Sequence, residues 1–192
     1  LNFAMGIPCF SVSIALLYQG EPVLGCVYDP LQGELFAAQR GIGSFANGQK
    51  LTIRPATSAL LPIGLSSGFL SRIPQGGEAS LLSAMMQCFS KVRILGSQAL
   101  HLSYVAAGRL RAAISWEARL WDDAAGALIL DEAGGWYTDF AGSEVFPVRA
   151  GSRILAGGSM HSIAAPQPTH RELVSLLGNL YRKAKFAEEM VD

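Results

Sequence analysis

The run LWDDAAGALILDEAGG, Leu120 to Gly135, leaves the backbone few choices. Two carboxylates, Asp122 and Asp123, stand at its start, followed by the small and apolar residues Ala124 to Leu130, and Gly134-Gly135 ends it. Acidic side chains at a helix start complement the macrodipole and cap free N–H groups. Glycine just past a helix end adopts the left-handed conformation without strain. The segment therefore reads as a buried helix with an acidic start and a glycine stop. Trp121 precedes the acids, and one acid is enough for a cap, so the second asks for a reason.

The segments on either side set the architecture. Cys9–Leu17, Pro22–Tyr28 and Gly33–Gln39 read as strands, separated by Gln19-Gly20 and by Asp29-Pro30 with Gln32-Gly33. Strands joined so closely pair antiparallel. Gly41, Gly43, Asn47 and Gly48 punctuate a tight segment, Gln49–Arg54 reads as a further short strand, and Pro55–Pro62 as a linker. Strands and helices then alternate. Ile63–Ser67 is a strand, Gly77–Ser90 a helix, Val92–Leu95 a strand and Ser97–Ala107 a helix stopped by Gly108. Leu110–Trp116, Trp136–Asp139 and Arg153–Gly157 read as strands, and Thr169–Glu189 as a helix with Thr169 and Glu172 forming a capping box. The fold class expected is α/β: part of an antiparallel sheet, then a mostly parallel sheet with helices on both faces, stacked as an α+β layered sandwich.

Half of the 192 residues are hydrophobic and the formal net charge is zero, which supports a packed core and gives no reason to invoke nucleic acid or an anionic membrane as partner. No apolar run reaches the roughly 20 residues that span a bilayer. Cys9, Cys26 and Cys88 form no C-x-x-C pair and read as reduced thiols of a cytoplasmic protein. His101, His161 and His170 show no ligand spacing and read as structural or surface residues.

Parallel sheets place ligands beyond the carboxyl ends of their strands, where helix N-termini gather. Gly96-Ser97-Gln98 follows one strand and opens a helix, and Asp122 follows the next strand and opens the next helix. Both starts can face one crevice. Ser97 reads either as a simple N-cap or as an anion contact, and Asp122 as a cap or a metal ligand.

These motifs carry a resemblance. Trp121-Asp122-Asp123-Ala124-Ala125-Gly126 with Glu132-Ala133-Gly134-Gly135 is similar to the C-terminal signature of the inositol monophosphatase family. Gly25-Cys26-Val27-Tyr28-Asp29-Pro30, Gly41-Ile42-Gly43-Ser44-Phe45 with Asn47-Gly48, and Gly96-Ser97-Gln98-Ala99-Leu100 with Val105-Ala106-Ala107-Gly108 come in the family's order. The resemblance implies Mg²⁺-dependent, lithium-sensitive hydrolysis of a small phosphate monoester, inositol-1-phosphate-like, in a homodimer. Histidinol-phosphate and nucleotide 3′-phosphate hydrolysis are alternatives, as is a non-catalytic anion-binding or dimerisation module.

The same resemblance implies that Asp122 is a metal ligand and that Gly96, Ser97 and Gln98 meet the substrate's hydroxyls, with Gln98 standing where the family has Ala. In inositol-cleaving members a Glu seven residues before the Asp binds a ring hydroxyl. That position is Ser115 here, and Glu117, two residues on along the strand, reads either as an exposed strand-end charge or as a substitute for that contact. Asp123 stands where the family is apolar or variable and reads as a solvent-facing first-turn acid. Trp116 and Trp121 are expected to pack at the strand end and wall the cleft. The family's early G-D-x-x-x-x-E-E segment and its D-P-[IL]-D-G-T turn are not among these residues, and Leu1-Asn2-Phe3 matches the family's residues immediately after that turn. Residues 1–58 accordingly read as the strand-rich remainder of an N-terminal phosphatase subdomain and 59–192 as a C-terminal α/β subdomain. The chain alone is expected to be inactive, with no catalytic base of its own.

Overall fold

A computed structural model describes residues 1–53, 61–68, 85, 89 and 91–189, with 179–189 as helix backbone. A 3₁₀ turn at Phe3–Met5 precedes strands β1 (Val12–Tyr18), β2 (Glu21–Asp29), β3 (Glu34–Gln39), β4 (Gly43–Ala46) and β5 (Gln49–Leu51). They pair in chain order as an antiparallel meander, as the turn spacing requires. Then come β6 (Ile63–Leu65), β7 (Val92–Arg93), helix α1 (Gln98–Ala106), β8 (Ala112–Ala118), α2 (Leu120–Glu132), β9 (Trp136–Thr138), β10 (Met160–Ala165) and α3 (Gln167–Glu189).

The second sheet has the order β7-β6-β8-β10-β9. β6 pairs parallel with β7 and β8, and β10 pairs antiparallel with β8 and β9. Four of the five strands therefore point the same way and β10 alone is reversed, so the sheet is mixed. The carboxyl ends of β6, β7 and β8 share one edge.

Both helices α1 and α2 lie between the sheets. Val27 and Phe36 of the first sheet, Leu100 and Leu102 of α1, Leu128 and Ile129 of α2, and Ala113 and Ala164 of the second sheet form one buried core. A second core on the far face of the second sheet joins Ile63, Leu65, Ile114, Trp116 and Ile163 to Leu173 and Leu177 of α3. Alternation along β8 divides it between the two: Ala113 faces one core, Ala112, Ile114 and Trp116 the other.

Small residues in α2 let these layers close. A Cβ on Gly126 would lie 2.6 Å from Leu102 Cβ, and one on Gly25 would lie 3.0 Å from Ala125 Cα. Gly126→Val is therefore expected to lower stability by about 1–3 kcal/mol through overpacking, read by urea denaturation; an unchanged midpoint would contradict this close approach. Past the helix end, Gly134 has φ +92° and Gly135 N–H donates to Leu130 O, the glycine stop expected from sequence.

The outer face of the first sheet carries Val12, Ile14, Leu16, Tyr18, Leu24, Tyr28 and Leu35, all exposed, Ile14 at 61% and Tyr18 at 66%. Val12 is opposite Tyr28, Tyr28 opposite Leu35, and Leu16 opposite Leu24, so the face is contiguous. Apolar surface of this kind marks association sites. The chain on its own is expected to elute from size-exclusion chromatography as associated species at micromolar concentration, and a monomer peak would contradict that.

Three expectations need correction. Arg153–Gly157 is a series of turns, with Gly157 at φ +85° and Gly158 N–H donating back to Arg153 O; the strand lies further on, at Met160–Ala165. Thr169 does not cap the last helix, which begins at Gln167 directly after Pro166. Instead Thr169 Oγ1 accepts from Arg111 Nε at 3.2 Å, and Glu172 pairs with the same guanidinium at 3.1 Å. Trp116 and Trp121 do not wall a cleft together. Trp116 is buried against Phe140 and His161, and Trp121 is 62% exposed beside Gly157. His101 and His170 are buried structural residues as expected, and Cys9 and Cys26 are free thiols. The helix expected at Gly77–Ser90, Cys88, and the linker with the 58/59 boundary lie, apart from residues 61, 62, 85 and 89, outside the described residues. Among the described residues no helix is long and apolar enough to cross a membrane.

Candidate active site

Strand β7 ends just before Gly96, whose φ of +80° turns the chain into α1. Ser97 caps that helix, its Oγ accepting from Leu100 N–H at 3.5 Å. The first N–H groups of a helix have no acceptor within it, so the start of α1 offers donors outward. Strand β8 likewise runs into α2, where Asp122 Oδ2 accepts the Arg119 N–H at 2.8 Å. One carboxylate oxygen thus closes the helix start. Asp122 is half-buried, and it lines a cavity of about 210 Å³ together with Gly96, Ser97, Gln98 and Ala99. The two helix starts do meet at one crevice.

The opposite wall comes from residues that sequence reasoning missed. Asn2, Ser11 and Ser13 line the same cavity. Asn2 Nδ2 donates to Cys9 O at 2.7 Å and to Leu95 O at 2.8 Å, tying the N-terminal segment to the approach of α1. Ser11 Oγ lies 2.9 Å from Ser97 Oγ. Ser13 Oγ is buried without a hydrogen-bond partner. The signal available was the two-residue spacing of Ser11 and Ser13 on an apolar strand, which puts both hydroxyls on one face.

Ser115 and Glu117 sit elsewhere. Ser115 is buried, and its Oγ accepts from Ala118 N–H at 3.1 Å and Glu117 N–H at 3.4 Å, fastening the end of β8. The Glu117 carboxylate accepts from Gly68 N–H at 2.7 Å and Ser67 Oγ at 3.2 Å, in the loop after β6. Neither residue lines the cavity at Asp122.

Asp123 overturns its expectation. It is fully buried rather than solvent-facing, and its Oδ2 accepts from Tyr137 Oη at 2.6 Å and Ser162 Oγ at 2.9 Å. The helix turns Asp122 toward the cavity and its neighbour toward β9 and β10. Burial pushes the Asp123 carboxyl up to about 6, against the pull of its hydroxyl partners and of Gln98 and with a further push from the Asp122 charge. Burial also lowers His101, on α1, to about 4.

Among the described residues, no group of three or more His, Cys, Asp or Glu side chains converges to hold a metal ion. Asp122 brings one carboxylate to the cavity, with one oxygen already engaged. Mg²⁺ takes octahedral oxygen coordination. These residues by themselves do not make a magnesium site.

The motif order and the paired helix starts have a counterpart in known proteins. The family model described as the inositol monophosphatase family matches residues 1–176. The chain belongs to the inositol monophosphatase family. It is 41% identical over 176 residues to an inositol-1-monophosphatase of Rhizobium meliloti, covering 91% of this chain and 65% of that protein. It is 41% identical over 143 residues to the Nus factor SuhB of Vibrio cholerae, covering 73% and 53%. The solved structure of a Thermotoga maritima IMPase superposes with a TM-score of 0.78 at 32% identity, over 95% of this chain and 66% of that one. The chain spans between 53% and 65% of the length of the first curated relatives it matches.

Proposed function

We propose that this chain forms the substrate cleft of a phosphatase that hydrolyses a small phosphate monoester of the polyol class, with Mg²⁺ as cofactor and sensitivity to lithium. One observation carries the reading: the Ser97-capped start of α1 and Asp122 at the start of α2 line a single cavity. The N–H donors and positive dipole end of α1 suit a phosphate or the hydroxyls beside it. The Ser11 and Ser13 hydroxyls add groups suited to hydrogen-bonding a polyol, with Asn2 Oδ1 as a further acceptor, its amide nitrogen being engaged by the Cys9 and Leu95 carbonyls. Asp122 would contribute to holding the metal, which when bound polarises the phosphoryl oxygens.

The second reading is a non-catalytic binding module. Among the described residues Asp122 is the one carboxylate that lines the cavity, which favours it, as do relatives named Nus factor. Phosphate release by the complete gene product from inositol, histidinol and adenosine 3′-monophosphates, with Mg²⁺ and with or without lithium, separates the two. Mg²⁺-dependent release, strongest with the inositol ester and suppressed by lithium, is expected. No release from any ester would leave the binding module.

A further inference from the structure

Two stretches of chain meet at the cavity and are tied in register. Asn2 Nδ2 donates to Cys9 O at 2.7 Å and to Leu95 O at 2.8 Å, so one amide joins the approach to β1 and the approach to α1. Two residues on from those carbonyls stand Ser11 and Ser97, 86 residues apart in the chain, and their Oγ atoms lie 2.9 Å from one another. Gly96 permits the close approach: its φ is +80°, and a Cβ there would lie 2.5 Å from Asn2 Nδ2. The backbone on both sides therefore sets the separation of the two hydroxyls. Ser11, Ser97 and Ser13 all line the cavity. Ser13 Oγ, on the same face of the strand as Ser11, is closed off from solvent and has no partner among the described residues.

A hydroxyl carries one hydrogen and two lone pairs. Ser97 Oγ accepts the Leu100 N–H, and the Ser11–Ser97 bond uses one hydrogen and one lone pair whichever oxygen donates. Among the described residues neither hydroxyl has a further partner. In either direction, one oxygen of the pair is left with a hydrogen to give and the other with a lone pair to receive. That combination matches an alcohol, which both donates and accepts. A phosphoryl or ether oxygen uses only the donor, and a C–H uses neither. One hydroxyl makes a single bond to another hydroxyl, whereas two held side by side make two. Ser97 alone would lack the second.

We propose that the Ser11–Ser97 pair is a subsite for one alcohol hydroxyl of the substrate, and that Ser11 is the specificity-determining residue by which the cavity selects a polyol ester over an ester without hydroxyls. The proposal deepens the phosphatase reading above and rests on it for the identity of the ligand. Because the Asn2 ties hold the pair in place, a substrate hydroxyl is received with little reordering. An analogue lacking that hydroxyl leaves the pair's hydrogen and lone pair unmatched.

The test compares inositol 1-phosphate with cyclohexyl phosphate, the same ring without hydroxyls, as substrates of the complete gene product. The ratio of their kcat/KM values cancels whatever a variant does to the phosphate group or to the amount of folded protein. Ser11→Ala removes one oxygen and leaves the Asn2 ties in place, and the ratio should fall about five- to tenfold, the scale of one lost hydrogen bond. Ser11→Thr keeps the hydroxyl, and its ratio should stay within about twofold of the native one. Equal losses on the two esters in S11A, an unchanged ratio, or a Thr variant as poor as the Ala variant overturns the proposal. If the native protein hydrolyses neither ester, the phosphatase reading fails, and calorimetric titration with inositol 1-phosphate judges the subsite by itself. Binding about five- to tenfold weaker in S11A then upholds it, and equal or absent binding overturns it.

Discussion

Asp122→Asn in the complete gene product is expected to lower kcat by about 10²-fold or more, the scale of losing one charge-stabilising group in an active site. The fold should barely notice. Asn keeps a side-chain oxygen that accepts the Arg119 N–H, so the helix start stays closed, whereas the negative charge facing the cavity disappears. Removing a capping oxygen altogether costs about 1 kcal/mol, and Asn avoids most of that. Phosphate release and thermal melting measured on the same preparation separate the two effects. A variant that keeps native kcat would remove Asp122 from the chemistry. One that loses activity only in step with folded protein would reduce it to a cap.

The second large effect concerns stability against pH. His101 titrates at about 4 in the folded chain, against an ordinary 6.5, because burial penalises the imidazolium. Below pH 6.5 the unfolded chain takes up a proton that the folded chain refuses. Its contribution is therefore fully present above pH 6.5 and is lost as pH falls toward 4, by about 3 kcal/mol. Asp123 works in the opposite sense. Its folded value of about 6 lies above the ordinary 3.8, again through burial first. The folded chain keeps the proton that the unfolded chain releases, so this contribution is present below pH 3.8 and is lost as pH rises through 6, also by about 3 kcal/mol. Between pH 4 and 6 the two slopes oppose each other. Asp123→Asn removes one of them, and its stability should climb between pH 4.5 and 6 more steeply than that of the native chain. Urea titrations at the two pH values read the difference, and parallel slopes for native and variant would contradict the buried carboxylate.

Much of the site was legible because its parts are local or arise from topology. The α2 helix is specified within sixteen residues by an acid, a run of small side chains and a double glycine. The meeting of Gly96–Ser97 with Asp122 is fixed once β7 and β8 are parallel to β6 and each leads into a helix. What escaped depends on partners distant in sequence. A first-turn acid complements the helix dipole whether it points out or in, so nothing near Asp123 distinguishes solvent from Tyr137 and Ser162, 14 and 39 residues away. Ser11 meets Ser97 across 86 residues. β10 is hard to read from sequence because its Ser162, Ala164 and Ala165 carry little hydrophobic signal, while the more apolar Ile154-Leu155 pair just upstream sits in a glycine-ended turn. The start of α3 was set by Pro166, and Thr169 and Glu172 had the spacing of a cap but hold Arg111 instead.

On the phosphatase reading, the starts of α1 and α2 together receive a phosphate monoester. Titrating the ¹⁵N-labelled complete protein with inositol monophosphate and monitoring backbone amide shifts tests it most directly. Saturable shifts at Gly96, Ser97, Gln98, Ala99 and Asp122 are expected, lost in Asp122→Asn or shifted to higher ligand concentration. Shifts confined to the larger cavity of about 590 Å³ beside Arg40 and Asp131, with the α1 and α2 starts unmoved, would contradict it.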